Sequence, residues 1–301
     1  TNGDGIWVSN SSQIGVETSE GTGNGNNGIS FENVFGGLIY GNQVTGNTYN
    51  GIALTGEHTN ITIERNNASG TLHGAGITIE GPGSFIDIRN NRVSNNAEGA
   101  GINCYHINTG SLINNTANHN QYGIGITGGS RGVVVEGNTI TESSIGIYLA
   151  EGNDNIFYNN FLNNFVNSEI SILNSNNSWS IEQSDGPNII GGPYIGGNYW
   201  ATPNSTGFSQ INPDLNDDGF CDSMYELAPD NIDFLPLRSQ GITVLDPNGG
   251  ETFYLGAPLN MSWTYTGSPG TTVNIEVLKG AGTIATRPGI PIGSEGFGSF
   301  N

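Results

Sequence analysis

One short motif recurs along the first half of the chain at nearly constant spacing, and it constrains the fold more than any other feature. The motif is Gly-Ile-x-apolar, and its glycines are Gly5, Gly28, Gly51, Gly76, Gly101, Gly123 and Gly146. An eighth copy is expected at Glu169, where Glu replaces Gly. Successive copies therefore start 23, 23, 25, 25, 22, 23 and 23 residues apart. Such a period predicts a stack of structural repeats.

Each repeat reads as short strands joined by tight turns. Ile and the apolar residue two positions later alternate with other residues, which is the pattern of a β-strand. A second alternating run follows in most repeats, for example at 61–63 and 133–135. A column of asparagines comes next in the repeat and comprises Asn42, Asn66, Asn91, Asn115, Asn138 and Asn160.

These repeats are too short for a helix plus two strands, so each is predicted to be one coil of a right-handed parallel β-helix. Coils about 4.8 Å apart let each strand pair with its equivalents above and below. The aliphatic residues then stack inside, and the asparagines form an internal hydrogen-bonded ladder. About eight coils are expected. The alternative fold, a β-propeller, needs about 40 residues per blade.

The composition excludes several classes of partner. The chain has 7 Lys and Arg against 27 Asp and Glu, a formal charge of −20, and no Lys before Lys279. So few bases argue against binding nucleic acid, and no apolar run is long enough for membrane insertion. Its 48 Gly and 43 Asn predict a neutral, hydrogen-bonding surface. Such a surface suits an extracellular location and contact with uncharged sugars.

An acidic loop after the repeats has the spacing of a calcium site. Oxygen-bearing side chains occupy loop positions 1, 3, 5 and 9, Gly219 provides a sharp turn at position 6, and a backbone carbonyl is available at position 7. Position 12 is Tyr225 rather than Glu, so the loop is not an EF-hand. A solvated acidic turn is the alternative interpretation. The predicted ligands of calcium, the expected cofactor, are Asp214, Asn216, Asp218, the carbonyl of Phe220, and Asp222.

Residues 5–200 resemble parallel-β-helix repeat families, including the NosD-type periplasmic copper-binding proteins, archaeal envelope proteins and pectate lyase-like enzymes. The tail resembles that of NosD-like archaeal surface proteins, with Asn198-Tyr199-Trp200 leading to a loop and an ending at 233–237. This resemblance implies a cap in which Trp200 covers the last coil. A copper role is not carried over, because the chain has 2 Met, 2 Cys and no cluster of His or Met.

The last 60 residues follow a different pattern and resemble the Pro-Asn-Gly-Gly-Glu sandwich modules of surface proteins, on the motif at 247–251. The predicted division is a β-helix at 1–200, a calcium-binding cap or linker at 201–240, and a partial immunoglobulin-like β-sandwich at 241–301. Both ends look cut. The chain is therefore expected to be a fragment, or else its ends are covered by neighbours in a homo-oligomer or filament.

A weak catalytic candidate lies in the two longest coils. His73 and Glu98 each precede a repeat glycine by three residues, so they are predicted to lie one coil apart, with His119 and Tyr122 nearby. A His and a carboxylate in contact could do acid–base chemistry on a sugar, but an ordinary surface ion pair is the alternative. Glycosidases use paired carboxylates, and no clear pair is found.

Two functions remain open from the sequence. The first is an exported cell-surface or envelope protein, structural or adhesive, which binds a polysaccharide or cell-envelope glycan or assembles with its neighbours, and which calcium stabilises. The alternative is a polysaccharide-active enzyme, namely a lyase, a glycoside hydrolase or a disaggregatase-like protein.

Overall fold

The chain is all-β, as predicted. A computed structural model describes residues 3–171, 176–239, 241–247, 261–266, 272–279, 282–292 and 297–300. These residues form a parallel β-solenoid of about 7 turns, together with separate antiparallel sheets. The helix α1 (Phe208–Ile211) has four residues.

The strands are short and follow one another closely along the chain. Those that precede the C-terminal end of the solenoid are β1 (Ile6–Glu17), β2 (Ile29–Tyr40), β3 (Ile52–Thr55), β4 (His58–Glu64), β5 (Ile77–Arg89), β6 (Arg92–Ser94), β7 (Ala100–Ile113), β8 (Thr116–Asn118), β9 (Tyr122–Thr127), β10 (Val133–Glu136), β11 (Thr139–Thr141), β12 (Ile145–Leu149), β13 (Ile156–Tyr158), β14 (Phe161–Asn163) and β15 (Ser168–Ile170). Those that follow are β16 (Ser184–Asp185), β17 (Tyr194–Ile195), β18 (Tyr199–Ala201), β19 (Tyr225–Ala228), β20 (Asn231–Asp233), β21 (Gly241–Asp246), β22 (Met261–Thr266), β23 (Thr272–Lys279), β24 (Gly282–Pro291) and β25 (Phe297–Phe300).

The first sheet has the strand order β1-β2-β3-β5-β7-β9-β12-β15, and all of its pairs are parallel. Its register aligns the repeat isoleucines, and those from the second coil onward are fully buried. Each such side chain contributes about 1.5–3 kcal/mol through burial. The predicted aliphatic stack is therefore confirmed, and it consists of Ile6, Ile29, Ile52, Ile77, Ile102, Ile124 and Ile147.

The eighth coil is placed two residues earlier than predicted. Ser168 lies opposite Ile147, so the position of the repeat glycine belongs to Asn167 rather than to Glu169. The side-chain carbonyl of Asn167 accepts hydrogen bonds from the backbone and the side chain of Asn164, which closes the turn in fewer residues. A slip of two residues keeps the same side chains inside, so the apolar alternation could not reveal it. Ile172, the last residue of the predicted copy, lies outside the described residues.

The predicted asparagine ladder is present and buried. Each side-chain carbonyl accepts the backbone N–H and the side-chain amide of the asparagine one coil earlier, at 2.8–3.1 Å. The ladder therefore satisfies turn groups that would otherwise be buried without partners. Its last member follows a longer insertion, and the full column is Asn42, Asn66, Asn91, Asn115, Asn138, Asn160 and Asn198.

Aromatic side chains close the C-terminal end of the stack. A second parallel sheet has the strand order β18-β14-β11-β8-β6. Trp200 of β18 lies opposite Leu162 of β14 and is 1% exposed. Its ring lies 5.8 Å from that of Trp179, which in turn stacks on Phe157 at 4.3 Å. The tail therefore covers the last coil with Trp200, as the resemblance implied.

A buried carboxylate ends the ladder. Asp233 is fully buried, and its Oδ2 accepts hydrogen bonds from the backbone N–H of Asn198 and from Nε1 of Trp200, both at 2.8 Å. Its Oδ1 accepts the backbone N–H of Leu235 at 3.1 Å. Burial raises the pKa of Asp233 to about 7, although these donors act in the opposite direction. Asp233, the first residue of the ending at 233–237, is therefore the terminal acceptor of the ladder.

The C-terminal strands form separate antiparallel sheets, β21-β22-β25 and β23-β24. Only Pro247 of the motif at 247–251 belongs to the described residues. The sandwich module and the domain boundaries stay predictions. In the described part of the chain, no helix is long and apolar enough to cross a membrane.

Candidate functional site

The outer face of the first sheet carries one residue per coil between the two buried stacks. These residues alternate with core positions, so they point away from the core. We call this set the outer row, and it consists of Trp7, Ser30, Ala53, Thr78, Asn103, Gly125 and Tyr148.

The middle of the outer row is covered by neighbouring groups. Ser30 is 5% exposed, and Ala53 and Thr78 are 1% exposed, although all three alternate with inward residues. A ligand therefore cannot reach these three side chains directly. The row contains no charged residue.

A cleft of about 440 Å³ lies beside the outer row and is lined by Glu80, Gly81, Asn103 and Tyr105. The Tyr105 side chain is 47% exposed. The amide of Asn103 donates to Oγ1 of Thr78 at 3.3 Å, and that hydroxyl donates to Oε1 of Glu80 at 3.4 Å. The polar groups of the cleft are therefore linked in one chain of long hydrogen bonds.

The predicted acid–base pair lies in the turns that precede β5 and β7. His73 Nδ1 lies 2.6 Å from Glu98 Oε2, and the Tyr49 ring lies 6.4 Å from that of His73. The one-coil neighbourhood predicted for His73 and Glu98 is thus observed. Both side chains are more than half exposed, so solvent weakens their interaction.

The other two candidates have different partners. His119 Nε2 pairs with Glu142 at 3.0 Å and lines a separate cleft with the exposed Phe165. Tyr122 packs against Tyr148 with ring centroids 4.9 Å apart. Each candidate thus has a local partner, and the contacts support two surface ion pairs rather than one four-residue constellation.

The acidic loop is held together by its own hydrogen bonds. Asp214 accepts the backbone N–H groups of Asp218 and Gly219, and Asn216 donates to Asp218 at 2.9 Å. The Asp222 carboxylate accepts from the backbone of a residue in the same loop at 3.0 Å. Gly219 has φ +88, as the sharp turn at position 6 requires.

The surroundings of Asp214 disfavour its charged form. Partial burial raises the pKa of Asp214, and the charges of Asp217 and Asp218 add to this effect, while two backbone N–H groups oppose it. Within the described ranges, no three His, Cys, Asp or Glu side chains come together as a metal site. The loop as described would therefore have to turn its side chains inward to surround a cation.

The fold and these surfaces can be set beside known families. A family model described as periplasmic copper-binding protein (NosD) matches residues 1–205. The chain belongs to the NosD family. No curated protein matches the chain. The resemblance drawn from the repeats is therefore confirmed at the level of the family, whereas the resemblance drawn from the loop and ending after residue 205 stays a prediction.

The described residues do not fit the copper of the NosD family description. Copper sites use imidazole, thiolate or thioether ligands. His58 is buried, and His73 and His119 each pair with a carboxylate. Burial raises the pKa of Cys104 and of Cys221 to about 12, so neither thiol is a ready thiolate. The three-ligand clusters that a copper site needs are not found among these residues.

Sequence reasoning missed the cleft beside Asn103. The motif drew attention to the inward positions of each repeat, whereas Glu80, Asn103 and Tyr105 occupy outward positions of the same strands. Aligning the repeats and reading the outward columns would have grouped Glu80 with Tyr105, because they face each other in register. No local motif marks Asn103 as a surface group.

Proposed function

We propose that this NosD-family chain is an exported surface or envelope protein that binds neutral glycan chains along the outer row. The observation that carries the proposal is the cleft beside the outer row, where the exposed Tyr105 ring lies next to the polar groups of Asn103 and Glu80. Tyrosine rings stack on the apolar faces of pyranoses, and amides and hydroxyls bond to sugar hydroxyls. An adhesive or structural role follows from such binding by a rigid solenoid.

The charge of the chain supports a neutral ligand. The net charge is −20, and the outer row has no Lys or Arg to neutralise a carboxylate or sulfate. The net charge therefore repels anionic polysaccharides at long range, and their acidic groups find no basic side chain in the outer row. Neither effect acts on a neutral glycan.

The enzymatic alternative depends on the His73–Glu98 pair. The pair offers a single carboxylate, whereas glycosidases use two. We therefore favour binding without turnover, and product analysis distinguishes the two functions.

Tyr148→Ala should weaken binding to a neutral polysaccharide at least fivefold, because it removes one of the two aromatic rings of the outer row and its contact with Tyr122. Affinity electrophoresis and a glycan array, with analysis of reducing ends and unsaturated products, measure binding and turnover. Tyr40→Ala is the matched control, because that ring packs against Arg65 outside the outer row. Wild-type protein that binds no neutral glycan would overturn the proposal, and released products would favour the enzyme.

We also propose that calcium stabilises the loop at 214–222. The support is the spacing of Asp214, Asn216, Asp218 and Asp222 and the raised pKa of Asp214, which a cation would reverse. The loop adjoins the end of the solenoid through the backbone hydrogen bond from Cys221 to the Pro236 carbonyl, so binding there would stabilise the cap.

Calcium should raise the melting temperature by a few degrees, as expected when a ligand binds only the folded state. Chelator should reverse the increase. Asp218→Asn should remove most of the effect, whereas Asp217→Asn should retain it, because Asp217 stands at position 4 and is no predicted ligand. Equal melting temperatures with calcium and with chelator would contradict the proposal.

A further inference from the structure

The packing of successive coils shapes the cleft beside the outer row. We infer that the cleft lined by Glu80, Gly81, Asn103 and Tyr105 is a subsite for one non-acidic pyranose unit, with a preference for an amino sugar. This inference rests on the proposed function and assigns a sugar specificity to this cleft.

Two glycines of the next coil make room for the lining side chains. A Cβ on Gly125 would lie 3.0 Å from the Asn103 side-chain oxygen, and a Cβ on Gly128 would overlap the Tyr105 ring. Gly128 has φ +63, so its backbone alone favours glycine. Gly125 has no such conformation, so its missing side chain serves the placement of Asn103.

The polar side of the cleft is oriented toward a donor. Asn103 donates to Thr78, and Thr78 donates to Glu80, so the carboxylate is tethered at one oxygen. Among the residues the structure describes, no Lys, Arg or His forms an ion pair with Glu80. Its second oxygen is therefore available to a ligand donor, and a ligand ammonium would make a charge-assisted hydrogen bond.

The apolar side of the cleft is the Tyr105 ring, 47% exposed and held over Gly128. An exposed ring beside a carboxylate suits a ring-shaped ligand with one apolar face and edge donors. A pyranose has this shape. A uronate would place its carboxylate near Glu80, where like charges repel.

The experiment compares matched sugars on the full chain. Glucosamine, glucose and glucuronate, and the three galacto counterparts, are titrated by ligand-observed NMR against wild type, Glu80→Gln, Tyr105→Ala and the control Glu32→Gln. Glu32 belongs to the same column of the first sheet, two coils away from Glu80. Equal melting temperatures confirm that each variant is folded.

Wild type should bind the amino sugar at least tenfold more tightly than the uronate. Glu80→Gln should abolish the preference of amino over neutral sugar, and Tyr105→Ala should weaken binding of both tenfold. Glu32→Gln should leave both unchanged. A uronate that binds as tightly as the amino sugar, or variants that bind like wild type, would overturn the subsite.

Polysaccharide retardation separates this inference from the proposed function. If wild type binds neutral polysaccharide and both cleft variants match it in affinity and selectivity, the subsite is wrong and the function stands. If wild type binds the amino sugar in the cleft but no polysaccharide, the function is wrong and the subsite stands.

Discussion

Asp233→Ala should lower the free energy of unfolding by about 3–5 kcal/mol and detach the C-terminal cap. The carboxylate is fully buried and accepts N–H groups from Asn198, Trp200 and Leu235. Alanine leaves these donors without an acceptor in a space that also becomes a cavity. Each buried donor without a partner costs about 1–3 kcal/mol.

The measurement is urea unfolding followed by tryptophan fluorescence, because Trp179 and Trp200 lie at the affected end. Asp185→Ala, an exposed aspartate of β16, is the control and should change stability by less than about 0.5 kcal/mol. A loss no larger than that of the control would show that Asp233 is not the terminal acceptor.

The same residue should make stability depend on pH. The pKa of Asp233 is about 7 in the folded chain, above its ordinary value of 3.8, because burial disfavours the charge. The folded state then holds the proton more tightly than the unfolded state. The stabilisation is complete below pH 3.8 and is lost as the pH rises through 7. Asp233→Asn should flatten this part of the plot of stability against pH. If the plots of the variant and of wild type are parallel, Asp233 is not the source of the pH dependence.

Asn66→Ala should cost about 3 kcal/mol, the second largest effect we expect. The Asn66 side chain accepts the backbone and side-chain N–H groups of Asn42, and it donates to the carbonyls of Ile39 and Glu64 and to the side chain of Asn91. Alanine removes all five of these hydrogen bonds. Because the ladder connects successive coils, the loss should spread to both neighbours.

The adjacent Asn67 offers a control of the same residue type. Its amide donates to the Gln43 side chain at the surface, so Asn67→Ala should cost less than about 1 kcal/mol. Urea unfolding measures both losses, and hydrogen exchange should show faster exchange of the Asn42 amide in Asn66→Ala only. Similar losses at the two positions would mean that the ladder does not stabilise the coil.

The repeat could be predicted from the sequence because the alternation of inward and outward side chains in a strand is a local property. Ile29 and Ile52 face inward for the same reason that alternate residues of any strand do, and the period of 23 residues places them in register. The ladder followed from the same period. The eighth coil escaped because a two-residue slip leaves the inward pattern unchanged.

The candidate site was less predictable. His73 and Glu98 were paired from spacing alone, and the structure brings them within 2.6 Å. The cleft depends on which side chains of one coil lie over glycines of the next, such as Tyr105 over Gly128. Such packing depends on the space above a residue, and no spacing rule encodes it.

The sequence by itself determined the all-β solenoid, its inward stacks and its asparagine ladder, because repetition turns local alternation into long-range register. The tertiary structure alone decided how the solenoid ends and where it offers a cleft. Asp233 reaches Asn198 across 35 residues that follow no repeat, and the cleft forms where Tyr105 lies over Gly128. Both depend on contacts between segments whose separation follows no period, and such contacts leave no regular mark in the sequence.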